Sequence, residues 1–129
     1  MFTIDQIKQA HSKVKSGADF PNYVQDLIAL GVVHYDTFVT DGHSEYFGED
    51  TKIRSEAKYA ALKIAKTSNI EKFLHYLKMH QQSQTDYLTF CSHSAETGVE
   101  KWQVDTKQMT CTYYDVAGKQ MLEEQIPAK

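Results

Sequence analysis

Residues 31–48 read GVVHYDTFVTDGHSEYFG, two alternating stretches on either side of Asp41-Gly42. Asp-Gly between alternating runs signals a β-hairpin. A two-residue type I′ turn suits it, because that turn needs positive φ at both central positions. In that register Thr40 faces His43, Phe38 faces Glu45 and Asp36 faces Phe47. Side chains alternate along a strand. His34, Asp36, Phe38, His43, Glu45 and Phe47 therefore share one face, and Val33, Tyr35, Thr37, Val39 and Tyr46 share the other.

Helical patterns lie on both sides of the hairpin. Thr3-Ile4-Asp5-Gln6 has the form of a capping box, with Phe2 and Ile7 placed for a hydrophobic staple. Ile4, Ile7, His11 and Val14 share a face, Lys13 and Lys15 suit the last turn, and Gly17 suits the stop. Asp19 and Pro21 open a second helix that Gly31 closes, with Phe20, Tyr23, Val24, Leu27 and Ile28 on its buried side. After Gly48, Thr51 or Ser55 can cap a helix whose stripe is Ile53, Ala57, Ala60, Ala61 and Ile64. Ile70, Phe73, Leu74 and Leu77 repeat at helical spacing. Residues 81–84 form a polar link. Segment 86–97 admits two readings, since Tyr87 to Phe90 could begin a strand. The face of Leu88, Cys91 and Ala95, stopped by Gly98, favours helix.

From Val99 the period falls to two. Trp102 and Val104 mark one strand, and Met109, Cys111 and Tyr113 alternate with Thr110, Thr112 and Tyr114 along the next. A turn holding Gly118 leads to a last strand with Leu122 and Ile126, ended by Pro127. Short turns make these three strands an antiparallel meander. Helices and strands are segregated rather than alternating. The order predicts one two-layer α+β domain over 1–129, with about five helices set against an antiparallel sheet of N-terminal hairpin plus C-terminal meander. No internal repeat is legible.

A chain of 129 residues can bury a core without metal or disulfide staples. Its 41% hydrophobic and 24% charged residues are those of a soluble globular protein. No apolar run approaches the ~20 residues of a membrane span, and the N-terminus lacks the apolar core of a secretory signal. Cys91 and Cys111 match no zinc-ligand spacing and read as reduced thiols. These features predict a cytoplasmic location with no membrane contact. The net charge is −3, yet residues 52–78 hold seven Lys/Arg against two Glu, a balance of +5 that leaves −8 for the rest.

The GVVHYDTFVTDGHSEYFG core, the run KYAALKIA at 58–65 and the C-terminal meander resemble the YdfO-like family of small enterobacterial and prophage-encoded proteins. That family is a domain of unknown function, and some members carry the label phage envelope protein. The resemblance spans essentially the whole chain. It implies a two-layer α+β fold and a host or phage protein as partner, and it brings no catalytic residues.

The hairpin face supplies the first candidate site: His34, Asp36, His43, Glu45 and Phe47. With a type I′ turn, Asp36 and His43 stand four residues of strand apart, about 13 Å. Metal ligands must converge within about 2.0–2.6 Å of an ion, so no metal site is expected. Asp36 and Glu45, as diagonal neighbours, could share one proton or one cation. The plain alternative is a solvated face with aromatic cross-strand contacts. Lys58, Lys63 and Lys66 in the basic stretch could meet phosphates, although one Arg and a net acidic chain argue against nucleic acid. His75 and His80 have the wrong spacing for a shared helix face. Cys91 and His93 would be co-facial only on a strand. Trp102, Tyr113 and Tyr114 could line a groove or a partner surface. No phosphate loop, nucleophile elbow or metalloprotease helix is present. The chain reads as a non-catalytic binding or interaction module without cofactor. The alternatives are a small enzyme or small-molecule binder using Asp36, Glu45, His34 and His43, and a weak nucleic-acid binder through 52–78.

Overall fold

Thr3 starts the first helix. In the computed structural model, which describes residues 2–14, 19–82 and 84–126, the Thr3 hydroxyl accepts from the Gln6 N–H while the Gln6 side chain accepts from the Thr3 N–H. That capping box heads α1 (Ile4–His11), and Phe2 and Ile7 are both buried beside it. Helix α2 (Phe20–Leu30) carries Pro21 in its first turn and ends at Gly31, whose φ of 98° is left-handed. Asn69 caps α3 (Ile70–Gln81). Asp86 caps α4 (Tyr87–Glu96) by accepting from the Thr89 N–H, so segment 86–97 is helix. Lys15, Gly17, Ser83 and Pro127 lie outside the described residues.

Six strands form one antiparallel sheet: β1 (His34–Phe38), β2 (Ser44–Phe47), β3 (Lys52–Arg54), β4 (Val99–Asp105), β5 (Thr110–Asp115) and β6 (Gln120–Gln125). Their order is β3-β2-β1-β4-β5-β6. Tyr23 of α2 meets Tyr35, Phe90 of α4 meets Trp102, and Phe73 of α3 meets Tyr113, all on one face of the sheet. Helix α1 packs on α2. The core lies between these helices and that face. Among the described residues, no helix is long and apolar enough to cross a membrane.

Two expectations are corrected. The helix expected after Gly48 does not form, so the described residues hold four helices rather than five. Lys52–Arg54 instead adds the edge strand β3, and 55–69 runs irregularly from the hairpin tip to the end of α4. Its backbone amides are taken by neighbours. Lys58 donates to the Asp41 carbonyl at 2.7 Å, Leu62 to Thr40 at 2.6 Å, Ala65 to Ala95 at 2.9 Å and Asn69 to Thr97 at 2.9 Å. Tertiary partners override the helix propensity of the Ala-rich run.

The hairpin turn is also longer than expected. Phe38 donates to the His43 carbonyl at 2.9 Å, leaving Val39 to Gly42 as a four-residue loop. Gly42 has positive φ and Asp41 does not, which excludes type I′. Asp41 instead accepts from the His43 N–H at 3.0 Å. The resulting pairs are His34↔Phe47, Asp36↔Glu45 and Thr37↔Ser44. The register moves by two residues, and a two-residue shift leaves every side chain on its expected face.

A repeat is present where none was legible. Two helices and three strands occur twice, α1-α2-β1-β2-β3 and α3-α4-β4-β5-β6. Gly31 and Gly98, 67 positions apart, each end a helix at positive φ. At the same offset Val32 matches Val99, Tyr35 matches Trp102 and Tyr46 matches Tyr113, all buried. The hairpin pair Asp36↔Glu45 recurs as Gln103↔Thr112. On the β1–β4 seam Asp36 pairs with its own counterpart, Gln103, which marks a pseudo-two-fold axis.

Candidate functional site: the open sheet face

The face turned away from the helices carries the hairpin candidates, and strand register lays its side chains out in rows. The middle row runs Arg54, Glu45, Asp36, Gln103, Thr112, Glu123. Asp36, at its centre, is only 7% exposed. One of its carboxylate oxygens accepts from Gln103 Nε2 at 2.9 Å, and the other lies 3.7 Å from Lys101 Nζ. Glu45 stands directly opposite. Like charges so placed repel, and Arg54 across from Glu45 offsets part of this.

Aromatic rows flank this polar one. On one side the His43 ring stacks on Phe38 with centroids 4.5 Å apart. Lys101 reaches over Phe38 at 5.8 Å and Tyr114 at 5.6 Å. On the other side His34 stacks on Phe47 at 4.3 Å, with Lys52 5.4 Å from that ring. Each cation over a ring contributes about 0.5–1 kcal/mol at sites this open. The rings of Phe38, Phe47 and Tyr114 are half-buried.

The structure brings His34, Asp36, His43, Glu45 and Phe47 to one face and corrects their spacing. Asp36 and Glu45 face each other rather than sitting on a diagonal. Asp36 and His43 are separated by two residues of strand, about 7 Å, rather than four. Other contacts now keep the ligand-type groups apart. His43 Nδ1 is 2.5 Å from Asp41 Oδ1, and the ring of His34 lies flat on Phe47. Burial alone would raise the Asp41 carboxyl, but the His43 N–H and ring hold it below its ordinary value. Among the described residues no three His, Cys, Asp or Glu side chains are placed to share a metal ion. A depression of about 540 Å³ lined by Phe2, Ile28, Gly31, Gly48 and Thr106 lies elsewhere, and none of the five candidates lines it.

The remaining candidates separate. Lys58, Lys63 and Lys66 fall on the irregular 55–69 segment, so no basic helix face forms there. Lys72 on α3 lies 3.6 Å from Glu96. Cys91 is fully buried, whereas His93 stacks on Tyr76 at 3.7 Å, so the two diverge. Trp102 and Tyr113 face each other under the helices, and Tyr114 alone reaches the open face.

Sequence reasoning missed a second polar cluster, on the helical side, formed by His11, Tyr23, Tyr35, Tyr46, Lys58, Tyr59, Tyr87 and Cys91. The available signal was the abundance of Tyr on core-facing positions, which read as packing. A family described as "Protein of unknown function (DUF1398)" has a model that matches residues 8–125. No curated protein matches the chain.

Proposed function

The chain belongs to the DUF1398 family of proteins of unknown function, and we propose that it is a single-domain, non-catalytic interaction module that binds another protein through its open sheet face. The observation that carries this reading is the pair of aromatic rows, Phe38 with Tyr114 and Phe47 with His34, half-buried on a face that no helix covers among the described residues. Aromatic rings are enriched at protein interfaces. The resemblance to YdfO-like proteins supports a host or phage protein as the partner and a prophage setting. Two buried free thiols, Cys91 and Cys111, fit the cytoplasm. The enzymatic alternative on Asp36, Glu45, His34 and His43 has less support, because Gln103 and Lys101 already occupy the Asp36 carboxylate.

The test is capture from the native host with the wild-type chain and with a Phe38→Ser, Phe47→Ser double variant, followed by reconstitution with the purified partner. The expected result is a stoichiometric partner that the folded double variant no longer holds. Equal capture by both chains removes the open face from the interaction. Self-association alone would replace the reading with a homodimer.

A further inference from the structure

The two halves of the molecule differ in what lies against their helix stops. In the second half, residues 62–69 cross the end of α4 as an irregular strap. Ala65 donates to the Ala95 carbonyl at 2.9 Å, Asn69 to the Thr97 carbonyl at 2.9 Å and Leu62 to the Thr40 carbonyl at 2.6 Å. The Thr40 hydroxyl returns a bond to the Leu62 carbonyl at 3.0 Å. A Cβ on Gly98 would lie 2.8 Å from the Ser68 Cα. Beneath this strap Ala95 and Thr97 are 4% and 0% exposed.

The positions that the strap touches have open counterparts in the first half. At the 67-residue offset Ala95, Thr97 and Gly98 correspond to Ile28, Leu30 and Gly31, and Thr40 corresponds to Lys107. The ladder end supports the match. Val39 donates to the Glu100 carbonyl at 2.9 Å, and its counterpart Thr106 donates to the Val33 carbonyl at 3.1 Å. Ile28, Leu30, Gly31 and Lys107 all line the depression of about 540 Å³. Ile28 is 41% exposed, and a Cβ on Gly31 would meet nothing within 4 Å. Among the described residues, no donor reaches the Leu30 or Lys107 carbonyl. Backbone acceptors that hold the strap in one half are therefore open in the other.

The depression is apolar below, where Phe2 and Val32 lie, and charged at its rim. Glu49 and Asp50 on the β2–β3 turn are exposed, and neither has an ion-pair partner among the described residues. The corresponding turn of the second half holds Val116 and Ala117 there, so the fold does not require the two carboxylates. Lys107 offsets one of these charges, which leaves room for one added cation. The strap shows a pattern that suits such a site. Leu62 and Ile64 pack against the core, while Lys63 and Lys66 are exposed.

We propose that the depression is a docking site for a short non-helical peptide segment of a partner protein, apolar with one or two basic residues. The segment sits on Ile28, Leu30, Gly31 and Lys107 as the strap sits on their counterparts. Its main-chain N–H groups bond the Leu30 and Lys107 carbonyls, and the acidic rim selects the basic residue. The site lies beside the end of α2 rather than on the open sheet face, and it does not depend on the interaction proposed there.

The probe is the strap sequence supplied in trans, a peptide of residues 61–69, ALKIAKTSN, with blocked ends. It is titrated into the isotope-labelled full chain while amide chemical shifts are followed. Expected are saturable shifts centred on residues 28–33, 48–51 and 106–107, with millimolar or tighter affinity. A peptide carrying Lys63→Glu and Lys66→Glu should bind about tenfold more weakly at low salt. In the chain, Glu49→Gln with Asp50→Asn should weaken the unaltered peptide severalfold. Ile28→Ser should do the same, and these exposed positions leave the fold intact. No saturable shift at millimolar peptide would overturn the proposal, as would shifts centred on 95–98, where the peptide would be displacing the strap. Equal binding of the charge-reversed peptide, or indifference to the Glu49 and Asp50 changes, would overturn it as well.

Discussion

Asp36 occupies the position where a carboxylate is hardest to keep, at the centre of the sheet, on the pseudo-two-fold axis and directly across from Glu45. It persists because Gln103 donates to it and Lys101 stands beside it. Asp36→Ala would strand the half-buried Gln103 amide and the Lys101 stem, so it should cost about 1–3 kcal/mol. Glu45→Gln removes a half-exposed charge and a like-charge repulsion, so its effect should stay within about 0.5 kcal/mol. Urea midpoints measure both, and equal costs would refute the asymmetry. The face that these two residues share was legible because alternation has period two and the register error was also two. Their facing arrangement was not, because loop length depends on the φ that Asp41 adopts.

Helix stops with the same backbone geometry differ here only in their surroundings. Gly31 and Gly98 both lie at positive φ, 98° and 90°. A Cβ on Gly31 would meet nothing within 4 Å, whereas one on Gly98 would lie 2.8 Å from the Ser68 Cα and 3.0 Å from the Thr67 carbonyl oxygen. Gly31→Ala should therefore cost only the left-handed penalty of about 1–2 kcal/mol. Gly98→Ala should add about 1–3 kcal/mol of overpacking, because backbone cannot move aside. Thermal or urea unfolding of the two variants separates the contributions. If both cost the same, the 55–69 segment does not press on the α4 stop. Both glycines were legible as helix stops, and so was the Thr3 capping box, whereas segment 86–97 admitted strand as well as helix. The segment that presses on Gly98 was not legible. Its Ala-rich spacing resembles a helix, and its amides are claimed by Asp41, Thr40, Ala95 and Thr97, partners distant in sequence. Three residues of β3 are too few to display a period.

The molecule as a whole is a pair of similar halves joined along β1–β4, and residue identity hides that relation. At the 67-residue offset the glycines and the Val32–Val99 and Tyr46–Tyr113 pairs agree, while Leu27 matches Ser94 and Tyr35 matches Trp102. Burial is retained where chemistry is not, so the repeat shows in register rather than in sequence. The seam itself yields a prediction. Because Asp36 pairs with its counterpart, the edge of either half is complementary to itself in register. In a dimer of residues 66–129, Gln103 would face Gln103, and two amides can donate to and accept from each other. Trp102 would then face Val104 instead of Thr37. In a dimer of residues 1–65, Asp36 would face Asp36, and two carboxylates sharing a buried site cannot both stay ionised. Fragment 66–129 should therefore form a folded dimer, fragment 1–65 should not, and equimolar mixing should form the heterologous pair. Asp36→Asn should permit association of 1–65. Light scattering with circular dichroism measures all four cases. A monomeric 66–129, or dimerisation of 1–65 that is indifferent to Asp36→Asn, would show that the seam is held by the helices rather than by its own register.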